Sequence, residues 1–163
     1  DPHRNSLPPR FFPLLYADAW GDYFGIWSWS APRPELTPEV NARLRLQSVV
    51  GIPLTAFALA GWLALAALGL ARWRESPARL LIAAAVPVSV AAALYYATRS
   101  VSFDGDTVKT MFLLPAVPFW ALSFGFAVDV LLTRSRRVAV PVLAVLAGCG
   151  LVSVAFGTFA LVS

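Results

Sequence analysis

The sequence predicts an all-α membrane protein: four transmembrane helices behind an aromatic-rich extracytoplasmic N-terminal segment. Three observations predict it. Of 163 residues, 58% are hydrophobic and 13% charged, where a soluble domain carries about a quarter charged residues. The mean hydropathy is +0.68. Four apolar runs approach or exceed the roughly 20 residues that a helix needs to cross about 30 Å of hydrocarbon. They are placed at 48–71, 79–97, 110–132 and 138–162, so more than half of the chain is expected in lipid. The domain division that follows is a loop and interfacial helix over 1–47 and a four-helix transmembrane domain over 48–163.

The N-terminal segment is polar and proline-rich up to Arg10, then carries eight aromatics in the nineteen residues from Phe11 to Trp29. Pro13, Asp18, Gly21, Asp22 and Gly25 interrupt it too often for a span. Aromatic rings beside a membrane sit at headgroup level with their polar tips in water. Aromatic platforms with interspersed carboxylates also suit sugar rings, which makes Asp18, Trp20, Asp22 and Tyr23 candidate substrate-binding residues. Anchoring and substrate lining are both open at this stage.

Thr37-Pro38-Glu39 reads as a helix start. Thr37 takes the cap position, Pro38 the first helical position, where its missing N–H costs nothing, and Glu39 faces the positive helix end. A helix is expected to run from there into the first span. Pro53, Pro87, Pro115, Pro118 and Pro141 are tolerable in lipid only where neighbours satisfy the carbonyls they free, which calls for packed helices. Ala56, Ala60 and Ala64, with Gly61, Gly69, Gly148 and Gly150, either permit close helix contact or, for the alanines, reflect ordinary helix propensity.

Arginines flank the first and third short connections: Arg72, Arg74 and Arg79 at one, Arg134, Arg136 and Arg137 at the other. Positive residues are retained on the cytoplasmic side, so residues 1–47 and the 98–109 loop are expected outside; Arg43 and Arg45 weigh against this. Asp129, the one acidic residue inside a span, reads as a helix-end partner of nearby arginines or as an intramembrane functional group.

The 98–109 loop holds the second constellation. Asp104-Gly105-Asp106 forms a turn, and Asp106 or Thr107 is placed to cap the third span. Lys109 in the first helical turn, with Arg99 closing the second span, makes an anion site at headgroup depth suited to a lipid phosphate. Asp104 and Asp106 form a bare D-x-D, a pattern that holds divalent cations, although three residues specify little. The net charge of +4 is dispersed, which excludes a nucleic-acid footprint. One histidine, His3, and one cysteine, Cys149, leave no zinc cluster, no disulfide framework and no catalytic triad. No residue of the chain is assigned as catalytic or as a metal ligand, and no cofactor beyond a weakly supported cation is implied.

The run LPPRFFPLLYADAWGDYFGIW, with Trp20-Gly21-Asp22-Tyr23, and the later DGDTVKTMFLLPAVPFW resemble the C-terminal half of bacterial GT-C superfamily membrane glycosyltransferases, in the group of glycosyltransferase family 39 and dolichyl-phosphate-mannose protein mannosyltransferase-like proteins. Lys109 with Leu113-Leu114-Pro115 and Pro118 resembles the K-x-x-Y-L-L-P-x-x-P opening of a late span in that superfamily; Phe112 stands at the tyrosine place. The resemblance implies a bacterial plasma-membrane enzyme that transfers sugar, with inversion, from a polyprenyl-phosphate donor to an extracytoplasmic acceptor. It places Lys109 near the donor phosphate, where a cation offsets charge developing on the leaving group. The catalytic carboxylate of such enzymes lies in the first outer loop, so the chain reads as the C-terminal part of a longer protein whose N-terminal transmembrane region completes it. The competing reading is a non-catalytic transport, assembly or structural module that binds a lipid or small solute.

Overall fold

A computed structural model describes residues 11–20, 37–99 and 115–159. All regular structure among them is helical. Five helices follow in order: α1 Phe11–Trp20, α2 Pro38–Ala71, α3 Pro77–Arg99, α4 Val117–Arg134 and α5 Arg136–Phe159. Helices α2 to α5 are each long and apolar enough to cross a membrane, the architecture of a multi-pass membrane protein.

The expected start of α2 is observed. Pro38 opens the helix, and the N–H of Asn41 donates to the Thr37 carbonyl at 3.0 Å, the first bond of the helical ladder. The helix then runs unbroken for 34 residues through positions 47 and 48. At 1.5 Å per residue it is about 51 Å long, against about 30 Å of hydrocarbon. Its N-terminal third, with Asn41, Arg43, Arg45, Gln47 and Ser48, is the part that lipid does not need.

The other boundaries move for identifiable reasons. Helix α3 starts at Pro77 rather than 79, since Ser76-Pro77 repeats the Thr37-Pro38 grammar. The turn is closed by the Glu75 and Ser76 N–H groups donating to the Arg72 carbonyl at 3.0 and 2.9 Å. The third span, expected from 110 with Asp106 or Thr107 as cap, is described from residue 115 on and is an α-helix over Val117–Arg134. Ala116 holds its cap position without a side-chain cap, after a single 3₁₀ turn at 115–116. Pro115 and Pro118 explain the start: placed ahead of the helix and in its first turn, their missing N–H groups break no ladder bond. Residues 100–114 lie outside the described residues. Ser135 alone joins α4 to α5. Its N–H donates to Leu131 and its carbonyl accepts from Val138 and Ala139, so one residue closes one helix and opens the next.

Helix α2 is the hub and packs against the other four. The interior is made of small groups: Ala83, Ala93, Ala116 and Ala139 are buried, Ser123 is 0% exposed, and Gly51, Gly61 and Gly69 are buried on α2. Large apolar side chains face outward on all four long helices, including Ile52, Leu63, Leu81, Val88, Leu122, Val140, Leu151 and Val154. In water such a surface would be a liability; against acyl chains it is the expected exterior, because association between spans rests on close packing of small residues.

Which small residues do this differs in part from expectation. Ala56, Ala60 and Ala64 are exposed, and a Cβ at Gly125, Gly148 or Gly150 would meet nothing. The alanine stripe is helix propensity and the contact belongs to glycine. At Gly61 an added Cβ would fall on the Ser123 carbonyl oxygen and reach Ala127 at 2.9 Å. Phe57 and Phe124 meet edge to face beside it, with centroids 5.0 Å apart. Gly69 lets the backbone of Arg79 and Leu80 approach to 3.3 and 3.2 Å of the Cβ position, which keeps the α2–α3 hairpin tight.

The proline expectation is met at Pro87. Lacking an N–H, Pro87 cannot donate to the carbonyl four residues back, that of Ala83. The indole Nε1 of Trp62 on α2 donates to that carbonyl at 2.8 Å, so the bond α3 loses is replaced from the neighbouring helix, as lipid requires.

Two outcomes follow. Gly61→Ala should destabilise the bundle by about 2 kcal/mol, since the clash is with backbone and relief requires the helices to separate; unfolding of the reconstituted protein in a denaturing detergent measures it. Trp62→Phe should cost about 1 kcal/mol by leaving the Ala83 carbonyl unpaired. In a Pro87→Ala background the new N–H supplies that bond, and the cost of Trp62→Phe should fall by at least half. Additive effects in this cycle would show that the indole bond does not compensate for the proline.

Candidate functional site

Of the candidate site residues, the described ones are Asp18 and Trp20 on α1 and Arg99 in the last turn of α3. Trp62 meets Ala83 and Gly69 meets Leu80, so α2 and α3 are antiparallel. Continuing that register brings Arg99 to the level of the α2 turn around Ser48. Helix α1 docks on α2 at the same end.

The docking is specific. Tyr16 donates its hydroxyl to the Ser48 carbonyl at 2.6 Å, and Trp20 Nε1 donates to Thr55 Oγ1 at 2.9 Å. The Trp20 ring lies over Gly51, where a Cβ would come within 2.5 Å of it. Residues 16 and 20 of α1 share a face, as do 44, 48, 51 and 55 of α2. The Ser48 carbonyl lies in the turn before Pro53, whose missing N–H and bulky ring loosen the ladder there. Ser48 itself donates its hydroxyl to the Leu44 carbonyl at 3.0 Å. Leu15 on α1 and Leu44 and Gln47 on α2 are buried.

Burial pushes the Tyr16 phenol up, and a hydrogen bond with Thr55 offsets part of this. Both polar tips of this aromatic pair are spent on α2, which anchors α1 to that helix.

Arg99, the candidate phosphate ligand, is exposed in the last turn of α3, with its guanidinium over the Tyr95 ring at 5.6 Å from the centroid. A cation at a helix C-terminus is electrostatically favourable, and stacking on tyrosine holds the planar group without consuming its five N–H donors. Asp18 lies on α1, two residues before Trp20. Asp22, Tyr23, Asp104, Asp106 and Lys109 lie outside the described residues. Trp20 is therefore committed to the contact of α1 with α2, and Arg99 is exposed with its guanidinium stacked on Tyr95.

Asp129 is exposed on α4, five residues before Arg134. Its backbone carbonyl accepts the Thr133 hydroxyl at 2.9 Å. Cys149 is a half-buried free thiol in α5. Among the described residues no group of three or more His, Cys, Asp or Glu could hold a metal ion.

Sequence reasoning missed the apolar groove of about 480 Å³ between α2 and α5, lined by Pro53, Phe57, Pro141 and Val145 among others. Two prolines, one on each helix, border it. It opens on the face of α2 opposite Gly51 and Thr55, away from α1.

Comparison with protein-family models, curated proteins and solved structures finds no match to the chain.

The Tyr16 contact gives a pH dependence with a defined sign. A phenol pushed above its ordinary value of about 10 binds its proton more tightly docked than free, so its contribution is complete below about pH 10 and is lost as pH rises through the higher docked value. Spin labels at Phe12 on α1 and Leu46 on α2, both exposed, should show a distance distribution that broadens above about pH 10. In Tyr16→Phe the distribution should be broader throughout and unchanged across that window.

Proposed function

We propose that this chain is the C-terminal membrane portion of a bacterial plasma-membrane glycosyltransferase that moves sugar from a polyprenyl-phosphate donor to an extracytoplasmic acceptor, and that it supplies contacts to the donor phosphate. The reading takes the end of the bundle with α1 and Arg99 as extracytoplasmic, following the arginine distribution of the short connections.

The observation that carries it is Arg99: an exposed guanidinium, stacked on Tyr95, at the rim of a bundle whose sides are apolar. A polyprenyl phosphate has the complementary division, one anionic group at headgroup depth and a long hydrocarbon tail in the bilayer. Lys109, ten residues on, stands in the motif that resembles the GT-C pattern and would be the second cation. The anchored aromatic helix α1 would face the sugar or acceptor, with Trp20 holding the helix and Asp18, Asp22 and Tyr23 in the same segment offering polar contacts. Asp104 and Asp106 would border the phosphate from the intervening loop. The chemical step belongs to the missing N-terminal region of the same protein; this chain binds and orients.

The α2–α5 groove favours a second reading, a non-catalytic module that holds a lipid tail or small apolar solute. The two differ at the phosphate. In nanodiscs, the chain should bind a polyprenyl phosphate, and Arg99→Ala and Lys109→Ala should each weaken binding about tenfold, the loss of roughly 1.4 kcal/mol for one charge-assisted contact. The corresponding polyprenol, which lacks the phosphate, should bind both variants and the wild type alike. Equal affinity for alcohol and phosphate would support the non-catalytic module instead.

A further inference from the structure

The strongest feature left unused by this function is positive charge at the opposite end of the bundle. Arg72 and Arg74 lie in the turn after α2, Arg79 in the first turn of α3, Arg134 at the last position of α4, and Arg136 and Arg137 at the first two of α5. All but the half-buried Arg79 are exposed. A chain that crosses a bilayer four times returns to the same face after every second crossing, so both connections share one face. Across 72–79 and 134–137 the only acidic residue is Glu75.

Retention of positive loops during insertion accounts for six arginines on this side. It does not account for their positions. Arg79, Arg136 and Arg137 sit in the first turns of helices, where the positive helix end opposes a cation, and neither first turn contains an acidic residue. Six arginines against the single Glu75 leave the described connections strongly positive. The Trp73 indole, exposed and covered by the Arg74 guanidinium at 5.0 Å, sits where aromatic side chains meet headgroups. Guanidinium groups offer the planar fork that matches phosphate oxygens.

We propose that this rim binds the headgroups of anionic phospholipids in the leaflet it faces, with Arg74, Arg136 and Arg137 as principal phosphate contacts and Trp73 seated beside the glycerol region. The lipid anion neutralises both the arginines and the helix ends behind them. The site is independent of the sugar-donor site at the other face.

Thermal unfolding of the purified chain in a neutral detergent tests it, with phosphatidylglycerol, phosphatidylcholine and inorganic phosphate titrated in turn. Phosphatidylglycerol should raise the midpoint saturably by several degrees, and the rise should shrink between about 50 mM and about 500 mM salt as screening grows. Phosphatidylcholine and inorganic phosphate at equal concentration should not reproduce it. A triple variant R74Q/R136Q/R137Q should lose most of the response. R74K/R136K/R137K keeps the charge that sets insertion, and should need several-fold more phosphatidylglycerol because lysine lacks the fork. A lysine variant that responds like wild type would overturn the proposal, as would an equal response to phosphatidylcholine or to inorganic phosphate. A glutamine variant that fails to insert leaves the decision to the lysine variant.

Discussion

At Gly61 the backbone of α2 meets the Ser123 carbonyl of α4 with no room for a methyl group between them. That approach sets the spacing of the bundle. Spans in lipid gain little from burying hydrocarbon against hydrocarbon, and cohere through dispersion contacts that need backbones close together. Because α2 also carries α1, α3 and α5, a larger separation at position 61 would be felt through every other contact. The Phe57–Phe124 pair fills the space beside the crossing, and Ser123 can be fully buried there because its hydroxyl is returned to the Phe119 carbonyl at 2.8 Å.

The same economy governs polar groups. Ser48, Ser89, Ser123 and Thr133 each donate to a carbonyl one turn back in their own helix, so the donors of these hydroxyls are already used inside the bilayer. Trp62 spends its one donor on the carbonyl that Pro87 frees. Each such bond carries a modest net energy. Its omission would cost more, because no water reaches that depth. Proline in α3 and tryptophan in α2 thus form one unit, and neither residue is intelligible without the other.

Much of this was legible in the sequence. Apolar length predicted four long helices, and Thr37-Pro38 predicted where α2 begins. Ser76-Pro77 has the same form as Thr37-Pro38 and opens α3 at Pro77, and Pro115 and Pro118 flank the start of α4 at Val117. The choice of contact residues was not legible, because Ala56, Ala60 and Ala64 have the spacing of a packing face as clearly as Gly61 has. Only the register between α2 and α4 decides that glycine is needed at one and alanine is exposed at the others. Of the candidate site, sequence placed aromatics and carboxylates in one segment, but that Trp20 and Tyr16 would turn their polar tips toward Thr55 and Ser48 depends on a docking of α1 that no periodicity within α1 specifies.

The length of α2 ties fold to function. A helix of about 51 Å in about 30 Å of hydrocarbon must project, tilt or both, and the polar residues of its N-terminal third identify the projecting end. Helix α1 binds at the boundary of that third, with Tyr16 at Ser48 and Trp20 one to two turns further in, at Gly51 and Thr55. Helix α1, held this way, is tied to the bundle by two hydrogen bonds. The α3 end that carries Arg99 arrives at the same level by the antiparallel register. Since Ser48, Ser89, Ser123 and Thr133 donate to their own helices and the sides of the bundle are apolar, the ends are where a polar ligand is best recognised. At one end stand an anchored aromatic helix and a stacked guanidinium; at the other, arginines on helix starts. The bundle between them fixes how far apart two charged surfaces are held across the membrane.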